Sequence, residues 1–234
     1  MKPVTHSSTA FTFLPALPVG PFQCNCRLLI CPKTGQAALI DPGDEPEKIV
    51  SFVQSQSLPN GISLQVKYLF HTHAHLDHIG GTRKVYERYA SQAPLISLHK
   101  ADEVLYQQLK MQGQLFGMEF EDPLPVQKYL EDTEELQVGS LKFSVIHTPG
   151  HSPGSVCFRL HEDSALKIPE LIFSGDTLFE GSVGRTDLWG GDSAQLLKSI
   201  RTRILTLEDE IQVCPGHGPD TTVGQEKREN PFLA

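Results

Sequence analysis

At 234 residues the chain is long enough to bury one large core without disulfides, and residues 1–234 read as a single domain. With 39% hydrophobic and 21% charged residues it is not a disordered chain. Twenty basic against 28 acidic side chains, a net charge of -8 and a pI of about 5.7 argue against a nucleic-acid or anionic-membrane surface, which needs clustered Lys and Arg, and favour a small-molecule partner.

From the N-terminus onward, Pro15, Pro18 and Pro21 interrupt the apolar stretch 11–19 before it can serve as a signal segment, and no run approaches the ~20 apolar residues of a membrane span. Cys24, Cys26, Cys31, Cys157 and Cys214 form no C-x-x-C pair, so reduced thiols packed as small apolar groups and a cytoplasmic location are expected. Residues 27–31 and 37–40 are apolar runs split by Pro32-Lys33-Thr34-Gly35, the pattern of a hairpin, and Asp41-Pro42-Gly43 closes the second strand. Residues 45–57 set Ile49, Val50 and Val53 on one helical face, with Pro46 in the first turn and Pro59-Asn60-Gly61 as the stop. A strand over 64–70 runs into His73-Ala74-His75-Leu76-Asp77-His78, and helical period resumes over 80–89, so the histidine cluster is expected in a strand-to-helix loop.

The second half repeats this alternation. Strands are expected at 95–98, 141–147, 156–160, 171–173 and 211–214, with helices at 101–111 and 192–205. Three of those strands empty into Pro149-Gly150-His151, Ser174-Gly175-Asp176 and Pro215-Gly216-His217-Gly218. Two packed sheets with helices outside satisfy this order.

Metal ligands must converge from different elements, and loops at one end of a sheet sandwich present such groups. His73 and His75, two apart in an extended loop, can face one ion, while Asp77 and His78, one turn onward, can reach a second. Three histidines and an aspartate within six residues offer nothing to a packed core, because close imidazoles repel when protonated; a metal accounts for them. His151, Asp176 and His217 follow apolar strands in glycine-containing loops and complete the candidate set.

The run Thr72 to His78, Pro149-Gly150-His151, Ser174-Gly175-Asp176 and Pro215-Gly216-His217 resembles the metallo-beta-lactamase-fold hydrolases, especially glyoxalase II-like (hydroxyacylglutathione hydrolase-like) members. Gly181 to Asp187 and Asn230-Pro231-Phe232 are similar to the short branch of that group. The resemblance implies an α+β fold, a four-layer alpha-beta/beta-alpha sandwich with its site at one edge. It implies a first ion on His73, His75 and His151, a second on Asp77, His78 and His217, and Asp176 bridging, with Asp77 and Asp176 in catalytic roles. The mixed nitrogen and oxygen donors suit two divalent ions, Zn²⁺ first, with Fe or Mn acceptable. A water shared by two such ions has its pKa lowered to about 7, and the implied reaction is attack of that hydroxide on a thioester of the S-2-hydroxyacyl glutathione type or a related acyl thiol. Longer relatives carry an extra C-terminal helical segment that grips glutathione; this chain reaches Ala234 soon after the last ligand, which leaves the thiol open.

Other residues carry two readings each. Asp41 either orients a metal ligand from behind or simply forms a turn. Arg185 either meets a substrate carboxylate or pairs with Asp187. Tyr106 and residues 111–120 line a pocket or form an apolar helix face. His71 is out of register with the metal run, and His6, His99 and His147 lack neighbours in sequence, so structural or solvated roles are expected. Two further functions share the motifs: a mononuclear-iron persulfide dioxygenase using His73, His151 and Asp176, and a non-catalytic metal-binding module.

Overall fold

The computed structural model describes residues 16–58 and 61–233; the readings made for His6, for residues 11–15 and for the turn at Pro59 and Asn60 lie outside them. The first sheet holds β1 (Leu17–Val19), β2 (Cys24–Ile30), β3 (Gln36–Ile40), β4 (Gln65–Phe70), β5 (Leu95–His99) and β6 (Lys128–Leu130) side by side in chain order. β1, β2 and β3 pair antiparallel, and β3 to β6 run parallel. The parallel strands need crossovers, and helices supply them: α1 (Pro46–Gln54), α2 (Leu76–Ile79), α3 (Thr82–Arg88), α4 (Glu103–Gln107) and α5 (Leu109–Leu115).

The second sheet draws on β7 (Glu135–Val138), β8 (Leu141–His147), β9 (Val156–Leu160) and β10 (Leu171–Gly175). After the small hairpin β11 (Leu178–Phe179) and β12 (Ser182–Val183), it is completed by β13 (Gln212–Pro215) and β14 (Thr221–Thr222), in the order β14-β13-β10-β9-β8-β7. β10 and β13 are parallel; β8 and β10 each pair antiparallel with β9, so β8, β10 and β13 all point the same way. Outside lie α6 (Ser193–Ser199), continuing as a π-helical turn over Ile200–Ile204, and α7 (Val223–Glu229).

Successive strand side chains point to opposite faces, and central strands such as β3 and β10 bury both. In β3, Ala37 and Leu39 pack with Ile49, Val53 and Leu105 of the helices, whereas Ala38 and Ile40 face the other sheet. In β10, Leu171 and Phe173 look inward while Ile172 packs under Leu196 and Ile200. Burial on both faces is why these strands read as unbroken apolar runs. Phe70 from the first sheet stacks on Phe158 of the second at 5.0 Å and meets Phe143 edge-on at 6.3 Å. The result is the four-layer alpha-beta/beta-alpha sandwich of the metallo-beta-lactamase fold. All five cysteines are buried and unpaired.

Several boundaries differ from the sequence reading. The strand expected from 27 begins at Cys24, and the helix expected over 45–57 ends at Gln54. The helix expected over 101–111 is broken at Gln108, and the break turns Gln112 so that its amide reaches Ala74 O and Leu76 N. Asp77 and His78 stand on the single turn α2 rather than in a loop. Among the described residues no helix is long and apolar enough to cross a membrane.

Candidate metal centre

Strands pointing the same way deliver their following loops to one edge. Asp41 follows β3; His73 and His75 follow β4; His151, Asp176 and His217 follow β8, β10 and β13; and α2 carries Asp77 and His78. The structure brings all seven expected ligands together, in three groups whose ligand atoms lie within 4.8 Å of one another: His73, His75 and His151; His73, His78 and Asp176; Asp77, His78 and His217.

His151 Nε2 lies 3.1 Å from His73 Nε2 and 2.8 Å from His75 Nδ1. On the other side, His217 Nε2 is 3.3 Å from His78 Nε2 and 3.1 Å from Asp77 Oδ2. Asp176 stands between the two groups, Oδ1 3.3 Å from His78 Nε2 and Oδ2 3.6 Å from both His151 Nε2 and His217 Nε2.

The hydrogen bonds behind the rings decide where their lone pairs point. The carbonyl of Arg185 can only accept, so His151 Nδ1, 2.8 Å away, carries the proton. Thr72 Oγ1 donates to Asp41 Oδ2 at 2.7 Å and therefore accepts from His73 Nδ1 at 3.1 Å. Asp41 Oδ2 also accepts from His78 Nδ1 at 3.0 Å. His73 and His151 thus turn bare Nε2 lone pairs toward each other at 3.1 Å, which is repulsive unless a cation sits there, while His78 turns its Nε2 toward Asp176 and His217. Tetrahedral Zn–N bonds of about 2.0–2.1 Å put ligand nitrogens roughly 3.3 Å apart, close to the separations found here. Asp176 Oδ1 is buried and accepts no hydrogen bond, as befits an oxygen reserved for a metal. The donor set fits two divalent ions.

Burial, followed by the neighbouring His151 charge, pushes His75 down to about 3, and burial with the surrounding imidazoles holds His73 well below the ordinary range, so both stay neutral. Burial also opposes a charged His78, but Cys24, Asp176, Asp77 and Asp41 around it raise its pKa well above the usual value. Since burial pushes the Cys24 thiol up to about 12, the three carboxylates carry that effect at neutral pH. Burial would raise Asp176, yet His78, His151 and His217 hold it far below the carboxylate range.

Glycine is required where backbone meets ligand. A Cβ at Gly216 would press into Asp176 Oδ1 and stand 2.8 Å from His78 Cε1, and one at Gly43 would overlap the Asp77 carbonyl.

Asp41 turns the chain at φ 52, and its carboxylate accepts from Thr72 N, Thr72 Oγ1 and His78 Nδ1. Arg185 is exposed and bidentate to Asp187, at 2.7 and 2.8 Å; it is among the residues lining the cleft over the site, and its carbonyl accepts from His151 Nδ1. His71 bonds Ser97 O and Thr82 Oγ1, His99 and His147 stack on each other at 4.1 Å, and Tyr106 is core with its hydroxyl on Leu124 O.

Sequence reasoning missed Asp102. Fully buried, it accepts from Ala74 N at 2.9 Å, Ser152 Oγ at 2.7 Å and Gly154 N at 2.6 Å, tying the first histidine loop to the loop of His151. It also missed Gln112, which clamps the same loop, and Asn25, whose amide holds Pro215 O and Gly218 O beside His217. An aspartate at a helix start reads as a cap, and no local signal distinguishes this one.

The sequence profile of the Metallo-beta-lactamase superfamily matches residues 19–217. The chain belongs to the metallo-beta-lactamase superfamily, a class of metallo-hydrolases. It is 38% identical over 218 residues to hydroxyacylglutathione hydrolase GloC of Haemophilus influenzae, covering 93% of this chain and 96% of that protein. Among solved structures it resembles the BLEG-1 B3 metallo-beta-lactamase, with a TM-score of 0.80, 36% identity and coverage of 94% and 98% of the two chains. It also resembles TTHA1623 in a di-iron-bound form, with a TM-score of 0.78, 39% identity and coverage of 94% and 100%. Relatives this similar in sequence bear names for different substrates, so the family alone does not settle what this member cleaves.

Proposed function

We propose that the protein is a dinuclear metal-dependent hydrolase that cleaves a thioester, of the S-2-hydroxyacyl thiol type or a related acyl thiol. In this reading His73, His75 and His151 hold one divalent ion, Asp77, His78 and His217 a second, and Asp176 reaches both. Zinc is the first expectation for the pair, and the di-iron-bound neighbour supports a site for two ions with iron as an alternative. Bound there, two such ions supply an acidified water and polarise the acyl oxygen.

The chain's own residues do the rest. Thr72, Asp41 and the Arg185 carbonyl fix the tautomers of His73, His78 and His151. Burial keeps His73 and His75 neutral, so their lone pairs stay available as donors. Asp102 and Gln112 hold the loops in register. In the net reaction a C–O bond forms from water, the acyl C–S bond breaks, and the thiol leaves with a proton. Arg185 is proposed to touch substrate at the cleft edge, which requires its fork to exchange Asp187 for a substrate carboxylate.

The observation that carries the reading is Asp176, placed between two complete trios with one buried oxygen that no hydrogen bond satisfies. The relative named hydroxyacylglutathione hydrolase supports the thioester. The test is elemental analysis together with hydrolysis of S-lactoylglutathione against other acyl thiols. Two ions per chain with thioester turnover is expected. One iron per chain, with oxygen uptake on glutathione persulfide, overturns it in favour of a persulfide dioxygenase on His73, His151 and Asp176.

A further inference from the structure

A cleft of about 800 Å³ opens over the metal centre, with His75, Asp77, His151, Asp176 and His217 on its floor. Its walls are apolar. Eight large hydrophobic side chains stand exposed among the described residues, and six of them line this one cleft: Phe22, Val104, Met111, Leu115, Phe116 and Trp189. Leu115 is 77% and Trp189 60% exposed. Side chains scattered singly would need no explanation, but a contiguous apolar wall beside a reactive centre marks a ligand surface. Phe22, from the turn between β1 and β2, meets Phe116, just past α5, edge to face at 5.3 Å, so two separate elements build one continuous wall.

Charge points the same way. Among the described residues Arg185 is the sole Lys or Arg lining the cleft, and its guanidinium is engaged bidentately by Asp187. A glutathione moiety with two carboxylates finds no second Lys or Arg among those lining residues. An apolar chain finds a wall along its length.

We propose that this cleft selects substrate through its acyl group, and that the preferred substrate is a thioester of a medium-length apolar acyl chain on an uncharged thiol. The proposal rests on the reading of the centre as a thioester hydrolase. Phe22, Phe116 and Trp189 are its specificity-determining residues: they meet the part of the substrate that does not react.

Trp189 is the only tryptophan of the chain, so its emission reports directly on the cleft. The metal-loaded protein is titrated with the thioethers S-octyl-N-acetylcysteamine and S-methyl-N-acetylcysteamine, which lack the scissile carbonyl. The octyl compound should shift Trp189 emission to the blue and bind on the order of a hundredfold more tightly than the methyl compound, the gain from burying roughly half of its additional methylenes at about fourfold each. Phe116→Ala, at a half-exposed position that the fold tolerates, should weaken octyl binding about tenfold. In hydrolysis, kcat/KM for octanoyl-N-acetylcysteamine should exceed that for S-lactoylglutathione, and the ratio should fall about tenfold in Phe116→Ala.

Equal binding of octyl and methyl compounds, faster use of S-lactoylglutathione, or a Trp189 emission that moves with protein concentration alone, as a second copy seated on this wall would cause, overturns the proposal. The underlying reading fails separately: octyl-selective binding without cleavage of any thioester removes the hydrolase and leaves the apolar preference standing. S-lactoylglutathione turnover with no dependence on acyl length does the reverse.

Discussion

Asp41, Thr72 and the Arg185 carbonyl each hold the Nδ1 of one histidine, of His78, His73 and His151 in turn, and so leave Nε2 as the nitrogen that faces the centre. Asp41 accepts from Thr72 N at 2.8 Å, from Thr72 Oγ1 and from His78 Nδ1. Asp41→Asn places an amide donor among those donors, and metal affinity should fall about 10–100-fold, measured by competition with a chelator; unchanged affinity would remove Asp41 from the site. Asp102 acts on backbone instead. Asp102→Ala leaves Ala74 N, Gly154 N and Ser152 Oγ buried without an acceptor, and should cost about 3 kcal/mol in denaturant unfolding, with faster metal loss. The convergence of the seven candidate ligands was legible because four of them fall within residues 73–78 and the rest sit in Pro-Gly-His or Ser-Gly-Asp loops. Asp102 and Gln112 were not, because their partners are distant in sequence and a buried carboxylate differs from a helix cap only in its tertiary surroundings.

At the scale of elements, strands buried on both faces, such as β3, β4 and β10, announce themselves as apolar runs, whereas β11, β12 and β14 span two residues each and exist only through their partners. The break at Gln108 was hidden for a related reason: no Pro or Gly marks it, and it is stabilised by what Gln112 then reaches. The loop after β13 offers a paired test of backbone demands. Gly216→Ala should abolish loading of the second ion, because its Cβ intrudes on Asp176 and His78. At Gly218, φ is 74 with open space around the Cβ, so Gly218→Ala should cost only about 1–2 kcal/mol and keep full metal content. Equal metal loss in both variants would mean that loop strain, rather than the contact with Asp176, governs the site.

Across the whole molecule the metal centre is coupled to protons and to the seam between the sheets. Asp176, Asp77 and Asp41 keep His78 protonated in the metal-free protein at neutral pH, and loading must expel that proton. More protons are bound before loading than after, so affinity should fall as pH is lowered, and calorimetry in buffers of differing ionisation enthalpy should register net proton release; no release would contradict the electrostatic assignment. For the metal-free fold the sign also follows from His75: its pKa drops from the ordinary 6.5 to about 3 on folding, so the stability contribution present above the ordinary value is lost as pH falls through that window, while raised His78 acts in the opposite sense. Phe70, stacked on Phe158 between the sheets, anchors the face that holds the two halves of the site together, and Phe70→Ala should cost about 3–5 kcal/mol. The sandwich order of strands and helices was readable from periodicity, whereas the apolar cleft was only one of two readings of residues 111–120, since Met111 and Leu115 also fit an apolar helix face until α5 is seen with that edge exposed along the cleft. The measurement that bears most directly on the central claim is metal stoichiometry of the wild type and Asp77→Ala, with thioester hydrolysis followed on the same samples. Two ions per chain with turnover, falling to one ion and lost turnover in Asp77→Ala, is the expected result; a single ion in both, with activity unaffected by the substitution, would contradict it.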